Sequence, residues 1–397
     1  MQGIRRGPVY LGRPHRREIS VVRNIIVVLT SIFIGLLLGE LTLRLVGDAH
    51  ERPEGARNRL DPELAYEPTP GAWVHPQLAP ERGDQLDHRG LRTPHAEDKP
   101  EGTVRILGLG DSVVQAVEVA YPDTWLAQLE DLLGRELAHP LQTINGGVGG
   151  YVSWQVAPRL LRHGLNYDPD LLIVLVGWND LYFGSRPNWR SRITLADFHE
   201  ARESPSASAE PETLSWKARL RQASVLVDTV AQVRADYFLA KQFNDSIKAS
   251  RQTQCVSPFN EAALTDYRRE LEFLVESARD RGLPLAVVRF PTLVNDAAEA
   301  TPEVQQKMLT YYQNSPLCHR EYRQWHARYL ATIDAVAAAH PELILIDVHA
   351  AFEALPDAQK AALFVDLAHL TPEGNRLLAA VVAERLRAER ARWLPAQ

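Results

Sequence analysis

The sequence predicts a three-layer α/β/α sandwich on a mostly parallel five-stranded sheet, with a membrane-spanning helix ahead of it. Three observations carry this. Four short apolar runs, VRILGLG from Val104, LLIVLVG from Leu171, LAVVRF from Leu285 and LILIDV from Leu343, and the β-rich segment QTIN from Gln142, which precedes a glycine cluster, end in turn signals. Continuous apolar runs of this length suit strands covered on both faces. Helical patterns alternate with them, which is the signature of a doubly wound sheet. The longest uncharged apolar run of all lies near the start, directly behind a basic stretch.

That stretch comes first in order. Residues 1–23 hold Arg5, Arg6, Arg13, Arg16, Arg17 and Arg23 against one acid, Glu18. The tail is therefore +5, and the rest of the chain is −11. The run NIIVVLTSIFIGLLLG follows from Asn24, and its apolar pattern continues through Val46. A membrane anchor is predicted over 24–46. RLVGDAHERP offers no A-x-A cleavage pattern, so the reading is an uncleaved anchor and not a signal peptide. By the positive-inside rule residues 1–23 stay cytoplasmic. The domain is then extracytoplasmic, on the periplasmic side of a bacterial inner membrane.

Residues 47–103 read as a linker that ends at the domain edge, since 48–100 contain eight prolines and few apolar residues. The globular domain is predicted over 104–390. Its helical patterns begin at Thr124, Val156, Ala262, Glu321 and Pro372. About 184–258 breaks the alternation. A small-residue polar loop there precedes an amphipathic pattern with Leu220, Val227, Val230 and Val233. This is a helical insertion, read either as packing on the core or as a lid.

Composition narrows the function classes. A net charge of −6 argues against nucleic acid as a partner, because phosphate neutralisation needs a basic face. Two cysteines exclude a disulfide-built scaffold and a cysteine-ligated metal site. No cofactor is read: the first strand opens no GxGxxG, and the glycine cluster lacks the Lys-Ser/Thr of a phosphate loop. His199-Glu200 belongs to no HExxH pair, so no metal is read either.

Four motifs fall at strand ends, where open α/β sheets place their ligands. Gly110-Asp111-Ser112 follows the first run and presents a serine at a strand-to-helix turn. Gly146-Gly147-Val148-Gly149-Gly150 follows QTIN, and Gly177-Trp178-Asn179-Asp180 follows LLIVLV. Asp366-Leu367-Ala368-His369 precedes the last helix. Each alone has a plain structural reading: a helix cap, a tight turn, an Asx turn, a solvated loop pair. Together they supply a nucleophile, a base with an orienting acid, and three donors for an oxyanion.

In this order and content the chain resembles the SGNH hydrolase superfamily, the GDSL esterases, over roughly Val104 to Leu386. GDS, the glycine block, GxND and DxxH match its sequence blocks, and INGGVGGYVSWQ and DLAHLTPEGNRLLA are similar to its surrounding text. The resemblance implies a flavodoxin-like sheet. It also implies Ser112 as nucleophile with Asp366 and His369 completing a triad, and an oxyanion hole of Ser112, Gly150 and Asn179. Gly149 rivals Gly150 for that role. Val114 and Ala116 stand where many relatives carry Thr and Gly, which bears on loop detail and acyl preference.

The implied activity is ester hydrolysis through an acyl-enzyme, on an acyl or acetyl ester of the cell envelope such as an acylated glycan or lipid. Two alternatives share these motifs: O-acyl transfer onto envelope glycans, and a non-catalytic binding module at the surface. Asp347 and His349 form a second acid–histidine pair at a strand end. Trp154 and Trp178 read as core, or as lining for a sugar. Cys255 and Cys318 are either free and buried or, as export favours, a disulfide pair.

Overall fold

The computed structural model describes residues 16–46, 58–61, 63–74, 84–184, 260–294, 307 and 319–394. Cys255, Cys318 and all but the first residue of the insertion expected at about 184–258 lie outside them. The chain divides into two units, the first containing residues 1–51 and the second containing the α/β fold.

In the first unit, helix α1 spans Arg16–Val46. It begins eight residues before the predicted anchor start at Asn24, taking in the last three arginines of the basic tail. Large apolar side chains from Val27 to Leu41 are half exposed or more all around it. The Ser31 and Thr42 hydroxyls donate back to Val27 O and Leu38 O, both at 2.8 Å, so their polarity is satisfied within the helix. Among the described residues no helix is long and apolar enough to cross a membrane.

The second unit is built on five parallel strands: β3 Val104–Gly110, β4 Leu141–Asn145, β5 Leu171–Leu175, β6 Leu285–Val288 and β7 Ile344–Ile346. Their order is β4-β3-β5-β6-β7, the doubly wound arrangement that reverses direction beside the first strand. Every pair in this sheet is parallel. Residues of β3, β5 and β6 are buried throughout, as expected where helices cover both faces.

Helix α3 (Trp125–Gly134) starts where the Thr124 hydroxyl accepts the Ala127 N–H. It packs against the last long helix, α10 (Pro372–Ala388), capped in the same way by Thr371 with proline at its first position. Helices α4 (Ser153–Arg162), α6 (Glu261–Arg279) and α7 (His319–Ala339) pack against one another in sequence. Short helices α2 (Ser112–Gln115), α5 (Trp178–Gly184), α8 (Val348–Glu353), α9 (Asp357–Ala362) and α11 (Arg390–Trp393) complete the described set.

The stretch expected as a linker is partly domain. It contains an antiparallel hairpin of β1 (Asn58–Asp61) and β2 (Ala65–Pro68). The reason is charge pairing. Asp61 takes a two-pronged contact from Arg162 on α4, at 2.8 and 2.9 Å. Glu67 reaches His163 at 2.7 Å. Arg92 is fully buried and paired with buried Asp84. These residues look solvated in sequence, yet their partners lie inside the domain.

Candidate active site

The turn that carries Ser112 follows from packing at the end of β3. At Gly110 φ is +154°, and a Cβ there would collide with the Leu175 carbonyl of the neighbouring strand. Only glycine lets the chain leave the sheet this closely. Asp111 then caps α2, its carboxylate accepting the Val113 N–H at 2.9 Å. Its carboxyl is fully buried, and burial pushes it up to about 7 against that hydrogen bond and the nearby His369 charge. Ser112 is thereby set at the first position of the helix, with its hydroxyl facing out of the sheet toward His369.

His369 arrives from the loop before α10. A bridge between Phe364 and Leu370 closes this loop, and the Val365 N–H donates to the His369 carbonyl at 2.8 Å. Asp366 Oδ1 accepts the Ala368 and His369 N–H groups, both at 2.9 Å. Its Oδ2 lies 2.7 Å from His369 Nδ1, and His369 Nε2 lies 2.7 Å from Ser112 Oγ. A carboxylate only accepts, so Nδ1 carries the proton and Nε2 is left to receive the serine hydroxyl.

The surrounding charges favour a second proton on this ring. Burial opposes a charged His369, but the Asp366 hydrogen bond and the charges of Glu118, Asp366 and Asp111 outweigh it, and the ring is pushed up to about 9. Burial likewise opposes the Asp366 carboxylate. The hydrogen bond and charge of His369, with the two loop amides, hold it below its ordinary value.

The glycine loop lies against Ser112: a Cβ at Gly149 would sit 3.9 Å from Ser112 Cβ. Gly149 donates its N–H to Gln115 Oε1 at 2.9 Å, so that amide is engaged. Among the described residues the N–H groups of Gly150 and Ser112 have no acceptor. Gly150 adopts φ +83°, and a Cβ there would meet Tyr66 Oη at 2.5 Å. Tyr66 holds the loop by donating to the Gly149 carbonyl at 2.8 Å. Asn179, on the first turn of α5, spends one amide hydrogen on the Tyr151 carbonyl at 2.9 Å. Its second hydrogen remains to donate.

Other residues singled out in the sequence go elsewhere. Asp347 caps α8 through the Ala350 N–H at 3.0 Å and pairs with Arg289. His349 lies against His326, with centroids 4.9 Å apart and ring planes tilted by 56°. Trp178 is buried between Phe290 and the rings of Tyr322 and His326, and Trp154 is buried too, so both are core. Asp180 of the GWND motif is fully buried, accepts from Ser153 N and Oγ, and is pushed up to about 7 by burial. Among the described residues no His, Cys, Asp or Glu group could hold a metal ion.

Two neighbours of the site were not legible. Tyr66 belongs to a hairpin hidden in the expected linker. Glu118 Oε1 lies 3.7 Å from His369 Nε2, brought there because Ala116 adopts a left-handed conformation at φ +53°.

No curated protein matches the chain. Among solved structures it is similar to a lipase/acylhydrolase from Enterococcus faecalis, at 14% identity over 74% of this chain and 99% of that one, with a TM-score of 0.42. It is similar also to the acetyl xylan esterase AlAXEase, at 13% identity over 71% and 98%, TM-score 0.41. A third is the acetylxylan esterase Axe2 from Geobacillus stearothermophilus, at 13% identity over 71% and 94%, TM-score 0.40. The sequence pattern of the GDSL-like lipase/acylhydrolase family matches residues 109–377. That match runs from the end of β3 into α10 and takes in Ser112, Gly150, Asn179, Asp366 and His369, so the chain belongs to the GDSL-like lipase/acylhydrolase family and is an ester-bond hydrolase.

Proposed function

We propose that this chain is a serine ester hydrolase, anchored in the bacterial inner membrane by α1, that acts on acyl or acetyl esters of the cell envelope. The observation that carries the serine mechanism is the continuous Asp366–His369–Ser112 hydrogen-bond chain, with both links at 2.7 Å. His369 Nε2 takes the Ser112 proton as Oγ attacks the ester carbonyl. Charge on the carbonyl oxygen is met by the Ser112 and Gly150 N–H groups and the Asn179 amide. The imidazolium returns its proton to the departing alcohol. Water, deprotonated by the same nitrogen, then frees the acid from Ser112. Asp366 fixes the ring and stays ionised throughout.

Anchoring rests on a different observation. The exposed apolar side chains of α1 surround the helix, among them Val28, Leu29, Ile32, Phe33, Leu37 and Leu41. A helix apolar on all sides is stable in hydrocarbon and not in water. Six arginines within residues 1–23 would keep that flank in the cytoplasm, which leaves the α/β unit facing envelope glycans and lipids.

Two measurements on the full chain test the reading. Purified in detergent, it should hydrolyse 4-nitrophenyl acetate, and Ser112→Ala should abolish this; equal rates for both would reject Ser112 as nucleophile. A C-terminal alkaline phosphatase fusion should be active in cells. An inactive fusion beside a fluorescent cytoplasmic reporter would reject the orientation.

A further inference from the structure

The ester-hydrolysis mechanism leaves the carboxylate of Glu118 without a role. Its Oε1 lies 3.7 Å from His369 Nε2, the same nitrogen that faces Ser112 Oγ. It therefore stands on the side of the ring where substrate must enter, opposite Asp366 on Nδ1. Its side chain is 20% exposed, so a ligand can reach it.

The position is held from beneath. Fully buried Arg92 donates Nη1 to the carbonyls of Gln115 and Ala116, at 2.7 and 2.6 Å, and Nη2 to that of Val119 at 2.7 Å. Its ion pair with Asp84 completes the buttress. The backbone on both sides of Glu118 is thus fixed by one guanidinium, whose planar fork suits several acceptors at once. A freely moving surface glutamate would be averaged out by solvent; this one is fixed and largely enclosed.

We propose that Glu118 is a specificity-determining carboxylate that excludes esters with a negative charge near the scissile bond and selects uncharged esters whose flanking group donates a hydroxyl hydrogen. The inference rests on Ser112 being the nucleophile. The physics is short-range Coulomb repulsion in a site with restricted water, where a fixed charge acts more strongly than in bulk. A hydroxyl beside the ester instead makes a charge-assisted hydrogen bond to the carboxylate. The acetylated sugars and glycerol esters of an envelope fit this description; succinylated ones do not.

The test compares 4-nitrophenyl acetate with the mono-4-nitrophenyl ester of succinate, whose far end is a carboxylate, using the full chain. Wild type should favour the acetate. Glu118→Gln should raise kcat/KM for the succinate ester at least 10-fold relative to the acetate, and Glu118→Asp should retain much of the discrimination. Salt gives a reading that needs no variant, because screening weakens repulsion: the wild-type succinate rate should rise between low salt and 1 M salt more than the acetate rate. An unchanged ratio in Glu118→Gln, or no differential salt effect in wild type, overturns the inference while leaving Ser112 in place. If wild type hydrolyses neither ester, the serine hydrolase reading fails and takes the inference with it.

Discussion

Gln115 Oε1 accepts the Gly149 N–H at 2.9 Å, and this engages the amide that rivals Gly150 for the oxyanion. At Gly149 φ is ordinary, and the nearest atom to an added Cβ is the end of the Gln115 side chain at 3.2 Å. At Gly150 φ is +83° and the obstacle is Tyr66 Oη at 2.5 Å. Gly150→Ala keeps the N–H but should push it out of line through the strained φ and the Tyr66 clash, lowering kcat by up to roughly 100- to 1000-fold, the scale of one oxyanion donor. Gly149→Ala should be several-fold milder. Steady-state kinetics on one ester decide this, and the reverse ranking would return the role to Gly149.

Ser112 and His369 should behave as one unit. Each alanine variant is expected to lower kcat by several orders of magnitude, and the double variant hardly further, because neither residue works without the other. Multiplicative losses would mean that they do not share a step.

Asp366 and Asp347 both precede a histidine, yet only Asp366 touches His369, at 2.7 Å. Asp366→Ala should cost several orders of magnitude in kcat. Asp347→Ala loses an α8 cap and an ion pair to Arg289, worth about 1 kcal/mol of stability, and should keep near wild-type turnover. Parallel kinetics and thermal melts separate the two effects.

Catalysis should depend on pH through His369. The base must be neutral, and the Asp366 hydrogen bond with the charges of Glu118, Asp366 and Asp111 outweighs burial to push it up to about 9. Below that value the ring is protonated and cannot accept the serine proton, so kcat/KM should rise with pH toward about 9. Removing the Glu118 charge in Glu118→Gln takes away one of the effects holding the proton, so the rising limb should move to lower pH. A limb that stays in place would detach Glu118 from the ring.

The central strands were legible because they are covered on both faces and read as apolar runs, as β5 does over Leu171–Leu175; β4, Leu141–Asn145, is half polar and was marked by the glycine cluster behind it. Ser112 and His369 were legible despite a separation of 257 residues, since the motif order supplies what distance along the chain conceals. The engagement of the Gly149 N–H by Gln115 was not, because it turns on where one side chain points. The β1–β2 hairpin was hidden for a similar reason. Asp61 and Glu67 carry the charge and spacing of a solvated stretch, and only the fold brings Arg162 and His163 to them. Glu118 depends on a single left-handed residue, Ala116, that no local pattern announces.

The most direct measurement is mass spectrometry of the full chain after reaction with a neutral fluorophosphonate, which forms a stable phosphonyl ester with an activated serine. A single adduct should form and map to Ser112. It should be absent in Ser112→Ala and at least 100-fold slower to form in His369→Ala, where no base takes the proton. No adduct on wild type, or an adduct on another residue that survives Ser112→Ala, would contradict the account.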